Sequence, residues 1–581
     1  MRFRYLQPLY VLGAATLATM VLAAPTPDTP FEWTTVVNNN DMIPPLDQRT
    51  FNSYNQPSVN ANGLVVMRAR SRGGPPLGPA THGIYTRDMS VADSEIVRIL
   101  DRTTAVPKPN NLASKFVETP SFPRIDMHSA TIATRGNHQP VWRYGLGGED
   151  ETRDDLDDED ETRAGTTGVY TNPFGDLITG AAKLGHVPDF SFFGVPEFGD
   201  IPFEVFPGAP SVTNGNTIVF KGNYTAEGVG RTGVYYRDLT SEPAGGTSPS
   251  VMIANSANTL IPGTRVVFGS TAPPNAAGDS VVFAGFDNED DPSLGGLYLA
   301  PLQYQPPLTA LVSIGDRVPG LSRKNRFTAI GEGIAFDGRF VGFWGAWGKQ
   351  TRTVKLYCKE EGNKDRIAYC NQALYCEATE QTLGDPGSIC DDQDDPKFGK
   401  SCYTKREVPA KQGVFVHDTE TGKTHLVAKR GKQLDDFLYW NFSGRVPCAS
   451  HGHSAEGGED DGEFVRWRAS AFVAVSAGVG ATFKTAFKAR SGGLRNGVYE
   501  NPVDGIYIEK GPGQPSLVTV VDTTMNGQVL DPAAPPESTI AEVGLEREGL
   551  RGRWLAISAS MDVEGGEEED GMAGVYITQV D

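Results

Sequence analysis

One triplet, a glycine followed by an aliphatic residue and an aromatic ring, recurs along this chain. It stands at Gly83-Ile84-Tyr85, Gly168-Val169-Tyr170, Gly233-Val234-Tyr235, Gly296-Leu297-Tyr298, Gly413-Val414-Phe415, Gly505-Ile506-Tyr507 and Gly574-Val575-Tyr576. A further copy, Gly497-Val498-Tyr499, lies just ahead of the sixth. Self-similarity of this kind decides the architecture before any other property does.

The surroundings of the triplet repeat as well. Ahead of the first comes Pro57-Ser58-Val59-Asn60-Ala61-Asn62-Gly63, then the apolar run Leu64-Val65-Val66-Met67. Ahead of the third comes Pro210-Ser211-Val212-Thr213-Asn214-Gly215-Asn216, then Thr217-Ile218-Val219-Phe220, and the fourth has Asn275-Ala276-Ala277-Gly278 before Ser280-Val281-Val282-Phe283. Asparagine and glycine supply the left-handed backbone of a tight turn, so each segment reads as a hairpin. The fifth copy keeps Asp337-Gly338. The second, sixth and seventh keep only a β-rich run, such as Phe472-Val473-Ala474-Val475 or Trp554-Leu555-Ala556-Ile557. After the triplet another strand follows, ending in Val106-Pro107, Val187-Pro188, Ile261-Pro262 or Val318-Pro319, where proline stops the ladder. The unit is four antiparallel strands, A to D, with the triplet opening C. Such units arranged about an axis are propeller blades.

The seventh copy stops after its C strand, whereas Phe31-Glu32-Trp33-Thr34-Thr35-Val36-Val37 followed by Ile43-Pro44 reads as a D strand with nothing before it. Pairing the two would close the ring and cover an exposed edge. The expected fold is all-β, a single β-propeller of about seven four-stranded blades closed by the N-terminal strand and spanning residues 31–581. These repeats resemble TolB-type propeller repeats, and more closely the uncharacterised secreted proteins with Pro-Ser-aliphatic-Asn repeats. The sequence departs from the TolB pattern in using Asn60 and Asn275 where that family has a Ser-Pro-Asp-Gly turn. The resemblance implies the fold and carries over no functional residue.

Arg2 and Arg4 precede a mostly apolar run from Leu9 to Ala24, the layout of a signal peptide over residues 1–23, with Val21 and Ala23 suited to the cleavage site. The run is shorter than the roughly 20 residues of a span, so no membrane span is expected after cleavage. A secreted, extracellular or periplasmic monomer is the expectation. The six cysteines, Cys358, Cys370, Cys376, Cys390, Cys402 and Cys448, then read as disulfide partners, five of them stapling an insertion at 358–402. Asn223-Tyr-Thr and Asn441-Phe-Ser are sequons, making a glycoprotein the expectation in a eukaryotic host. The net charge of −20 argues against a nucleic-acid partner.

Much of the acid lies between strands B and C of four copies: Asp154, Asp155, Asp157, Asp158, Glu159, Asp160 and Glu161; Asp287, Glu289, Asp290 and Asp291; Asp391, Asp392, Asp394 and Asp395; Glu567, Glu568, Glu569 and Asp570. Such runs serve as solvated loops or gather oxygen ligands for Ca2+, the one cofactor the sequence suggests. The metal candidates are Asp157, Asp158, Asp160, Asp287, Glu289, Asp290 and Asp291. His451 and His453 beside Glu456 and Glu459 add a candidate Zn2+ or Cu2+ pair. The chain has neither a Gly-x-Ser-x-Gly elbow nor a His-Glu-x-x-His motif. Trp344, Trp347 and Trp440 are expected in blade cores rather than on a sugar. The expected function is binding of an extracellular protein or polysaccharide by the face bearing the acidic loops. The alternative is a hydrolase or lyase that acts on an extracellular polymer with carboxylates at the propeller axis.

Overall fold

The computed structural model describes residues 31–580 apart from 74–77, 79, 111, 140–165, 185–192, 242–247, 290, 358–402, 432–433, 438–471, 479–481, 512–516 and 564–570. Seven antiparallel sheets follow one another along the chain, each ordered A-B-C-D. Their A strands include Ser58–Val59, Arg124–Ile125, Ser211–Thr213, Asn275–Ala277, Ala335–Phe336, Val473–Ala477 and Leu550–Arg551, and each touches the next until the last returns to the first. That closed cycle of inner strands makes the molecule a seven-bladed propeller.

The seventh blade takes Thr539–Gly544 with Leu550–Arg551, Trp554–Asp562 and Met572–Gln579 from the end of the sequence, and its outer strand Trp33–Asn38 from the beginning. This is the closure expected from the unmatched D strand. Val36 and Val37 are fully buried there, and Arg87 of the first blade donates from Nη1 to the Val36 carbonyl at 2.7 Å.

All seven triplets lie on a C strand, and the packing explains why the first position is glycine. In blades one to six, the C–D register slips by a residue between the triplet's aliphatic and aromatic positions, as at Ile84/Tyr85 and Ile506/Tyr507. In the seventh it falls at the same place, between Val575 and Tyr576, with Val36 as the extra residue on the D strand. This bulge turns the aromatic ring and the D-strand carbonyl over the glycine. A Cβ on Gly296 would stand 2.0 Å from the Val312 carbonyl oxygen, and one on Gly574 would stand 2.6 Å from both Val37 O and Tyr576 OH. The extra triplet, Gly497-Val498-Tyr499, is no blade marker: Asn496 and Gly497 form the left-handed tip of the B–C hairpin in blade six.

One strand assignment is corrected. The run at Phe472–Val475 contributes Val473–Ala477, strand A of blade six, and strand B is Phe483–Arg495. Strand B was hidden because Lys484, Lys488 and Arg490 interrupt its apolar residues. Its buried residues are Phe483, Thr485, Ala486, Phe487 and Ala489, and the strand from Arg490 onward is not buried.

Candidate functional site

The A–B turns are short and tied into a ring. Gly63, Gly215, Gly278, Gly338 and Gly552 all take positive φ in them. Asn60 donates from Nδ2 to the Ser129 carbonyl of the next blade, Gly215 N to Asp126 Oδ2, Asn214 Nδ2 to Asp279 Oδ1, and Gly552 N to Ser476 Oγ. The Pro-Ser-aliphatic-Asn signature is thus a blade-to-blade fastener. Ser58 Oγ bonds the Pro123 carbonyl and Ser211 Oγ receives Ala276 N, both buried.

Near this end the axis is filled by ions. Between the two halves of its A strand, blade seven inserts Leu545-Glu546-Arg547-Glu548-Gly549 toward the other inner strands. Glu546 Oε1 lies 2.6 Å from Arg124 Nη2 of blade two, and Glu548 Oε1 lies 3.7 Å from both Arg124 Nη1 and Arg551 Nη2. Arg547 reaches the Ile334 carbonyl of blade five, Arg551 reaches the Val475 carbonyl of blade six, and the Glu548 carbonyl accepts Val59 N of blade one. No side chain in the cluster is more than 5% exposed. Burial, followed by the neighbouring Arg124, pushes the Arg547 guanidinium down to about 10, with Glu546 and Glu548 opposing. It stays cationic at neutral pH. Three cations against two carboxylates hold each other in place across five blades, and each carboxylate is within ion-pair reach of an arginine.

The other face carries the B–C connections, which range from two-residue tips in blades three and six to the excursion between Trp347 and Gln412 in blade five. Each of the four acidic runs lies between a B and a C strand, as the repeat required. In blade five the connection carries the paired strands Thr351–Tyr357 and Tyr403–Pro409. Beside them, blades five and six share a cluster of mixed charge. Arg490 makes a two-pronged contact with Asp504 at 2.6 and 2.9 Å, Gly492 N binds Asp435 Oδ2, and Arg352 donates to the Asp435 carbonyl. The guanidinium carbons of Arg352 and Arg490 stand 5.9 and 5.1 Å from the centre of the Tyr499 ring, within reach of cation–π attraction. Burial lowers the Arg352 pKa, with Asp436 and Asp435 pulling the other way.

Among the metal candidates, Asp287, Glu289 and Asp291 lie in the B–C turn of blade four. Asp287 accepts Ser293 N, Ser293 Oγ and Leu294 N; against the opposing pull of desolvation, these bonds hold its carboxyl below the usual range. That carboxylate closes its own turn. Asp157, Asp158, Asp160, Asp290, His451, His453 and all six cysteines lie outside the described residues. Among the described residues, no three His, Cys, Asp or Glu side chains come together in a group able to hold a metal ion, and no helix is long and apolar enough to cross a membrane. Trp344 and Trp347 are core residues. The sequon residue Asn223 sits mid-strand with 7% of its surface exposed, so the folded blade offers no open amide there. The axial cluster was not foreseen. Its only trace in sequence is Glu-Arg-Glu between two β runs, a pattern that reads as an exposed loop.

No family model and no curated protein matches the chain. Among solved structures, the β-propeller domain of the Trilobed protease from Pyrococcus furiosus, described as having an open velcro topology, aligns over 89% of this chain and 93% of its own, at 7% identity and a TM-score of 0.34. The polysaccharide lyase Uly1 aligns over 94% and 98%, at 11% identity and a TM-score of 0.37. Trypanosoma rangeli sialidase aligns over 82% of this chain but only 59% of its own, at 12% identity and a TM-score of 0.33, so the present chain spans less than two thirds of that enzyme. Likeness at this level lends the chain no activity. The propeller assignment rests on the sheet order and the closed cycle of inner strands.

Proposed function

We propose that this protein is an exported binding protein that engages an extracellular protein or carbohydrate through the face of its B–C connections. The observation that carries the reading is the asymmetry between the faces. One end of the propeller carries short A–B turns bonded to neighbouring blades, and the other carries the B–C connections, of which that of blade five runs from Trp347 to Gln412. Binding residues concentrate on loops that a rigid scaffold positions. Export is supported by the charged start and apolar run before Pro25, and the turn-strand-triplet order supports a TolB-type repeat.

The enzyme reading needs a carboxyl free to exchange a proton with substrate. Glu546 and Glu548 are buried in ion pairs, which favours a structural role for them.

The test is a panel of immobilised glycans and extracellular matrix proteins probed with the mature chain. A second protein has 358–402 replaced by a short glycine-containing turn and the 154–161 acids changed to Asn and Gln. A ligand bound by the first and lost by the second is the expected result. Equal binding by both would remove the B–C face from the account, and polymer cleavage abolished by Glu546→Gln would replace binding with catalysis.

A further inference from the structure

A groove of about 310 Å3 lies on the opposite face, between blades three and four. It is lined in blade three by the A–B turn and the start of strand B (Asn214, Asn216, Thr217), by Tyr236 and Asp238 of strand C and by Ser248, Pro249 and Val251 at the start of strand D, and in blade four by Asp279 and Leu302. None of these residues belongs to the axial cluster or to the B–C connections.

Three properties of the lining narrow the ligand. Among the described residues the groove's lining holds two carboxylates and no cation, so an anionic ligand is repelled. Donors and acceptors are mixed. Asp238 Oδ1 holds Thr240 through its N–H and hydroxyl, and Asp279 Oδ1 holds Asn214 Nδ2; the second oxygen of each accepts no hydrogen bond from a described residue. Asn216, Thr217 and Ser248 add amide and hydroxyl groups that already bond Thr240, Asn216 and Ser241 in turn and keep further acceptor capacity. A metal ion would call for acceptors alone, whereas a hydroxyl-bearing ligand uses both. Finally, the half-buried ring of Tyr236 lies with Val251, Pro249 and Leu302 in the same lining, an apolar surface for the C–H face of a pyranose. The volume falls at the lower end of the roughly 300–1,000 Å3 typical of small-molecule sites.

We infer that this groove is a second binding site, selective for one neutral sugar unit of a saccharide, with Tyr236 as its platform and Asp238 and Asp279 as hydroxyl acceptors. The site is independent of the B–C face.

Saturation-transfer NMR on the whole mature chain tests it, with glucose, galactose, mannose and N-acetylglucosamine as probes at millimolar concentration and glucuronate as the charged control. At least one neutral sugar should receive saturation, and glucuronate should receive much less. Tyr236→Ala should weaken binding about tenfold, the scale of one aromatic contact. Asp279→Ala, on an exposed turn, should weaken it severalfold while thermal melts report the cost of losing its bond to Asn214 separately. Replacing 358–402 should leave it unchanged. Saturation of none of the neutral sugars, equal saturation of glucuronate, or undiminished binding in the Asp279→Ala protein would each overturn the inference.

Discussion

The two ends of this propeller are built from the same repeat and put it to opposite uses. At the A–B end the connections are a few residues long, five glycines sit where the turn needs left-handed backbone, and the turns of blades one to four and seven are hydrogen-bonded to a neighbouring blade. At the B–C end the connections range from the two-residue tip Glu227-Gly228 of blade three to the excursion between Trp347 and Gln412 of blade five. Turns that must touch their neighbours on both sides cannot lengthen without breaking a contact. Connections bonded mainly within their own blade can. The difference teaches that in a closed ring the tolerance for insertion is set by inter-blade bonding, and therefore that new binding surface accumulates on the face where that bonding is weakest.

The comparison can be broken most directly at the axis. Arg124→Met leaves Glu546 and Glu548 buried with one arginine fewer and should cost about 3–5 kcal/mol in denaturant unfolding. Changing Arg124 and Glu546 together to Met should recover much of that loss. A single-variant cost below about 1 kcal/mol would mean that the cluster does not bind the blades together.

The pH dependence of stability tests the other end. His138 is the last residue of strand B in blade two, at the B–C side, where Tyr170 OH lies 2.6 Å from Nε2 and Thr166 Oγ1 lies 2.6 Å from Nδ1. Burial lowers its pKa to about 4, with the Gln139 carbonyl opposing. Since the unfolded chain protonates first, at about 6.5, the stability from neutral His138 is complete above that pH and is lost as pH falls toward 4. The loss should approach about 3 kcal/mol, and His138→Gln should flatten that part of the profile. A wild-type profile without this fall would mean the imidazole is already charged in the fold.

Smaller effects separate glycines held by packing from those held by backbone alone. Gly574→Ala should lower stability by about 1–3 kcal/mol through overpacking against Val37 O and Tyr576. Gly228→Ala, at φ +73 with nothing within 4 Å of the added carbon, should cost about 1 kcal/mol. Reversal of that order in thermal melts would show that the bulge relaxes. Least of all, Asp291→Asn in an exposed B–C turn should stay within about 0.5 kcal/mol of wild type, and EDTA should leave its melting temperature unmoved.

What sequence reveals here follows the range of the forces involved. The triplets were legible because a bulge with an aromatic over a glycine is a local device, repeated at each C strand. The closure was legible because an unmatched D strand and a missing one stand at opposite ends. Glu546 and Glu548 were not, since nothing near them distinguishes a solvated Glu-Arg-Glu from one whose partner is Arg124, over four hundred residues away. The groove was equally silent: Tyr236 of a C strand and Asn214 of an A–B turn meet Asp279 only through the packing of adjacent blades.

The strand that completes blade seven also sets how the molecule must assemble. Thr578 and Glu32, bonded in the final sheet, are 546 residues apart in sequence. The entropy of closing a loop grows only as the logarithm of its length, so this closure costs about 3 kcal/mol more than closing one of roughly 20 residues. Burial of Val36 and Val37 offsets that, each contributing about 1.5–3 kcal/mol. The barrier is one of timing. Six blades can form from contiguous chain, while the seventh waits for two segments made far apart in time, and until they meet the strand Met572–Gln579 presents an unpaired edge. A chaperone, or a second chain offering its own Trp33–Asn38, would find its target there, and the native ring is the outcome in which the molecule's own first strand arrives before either.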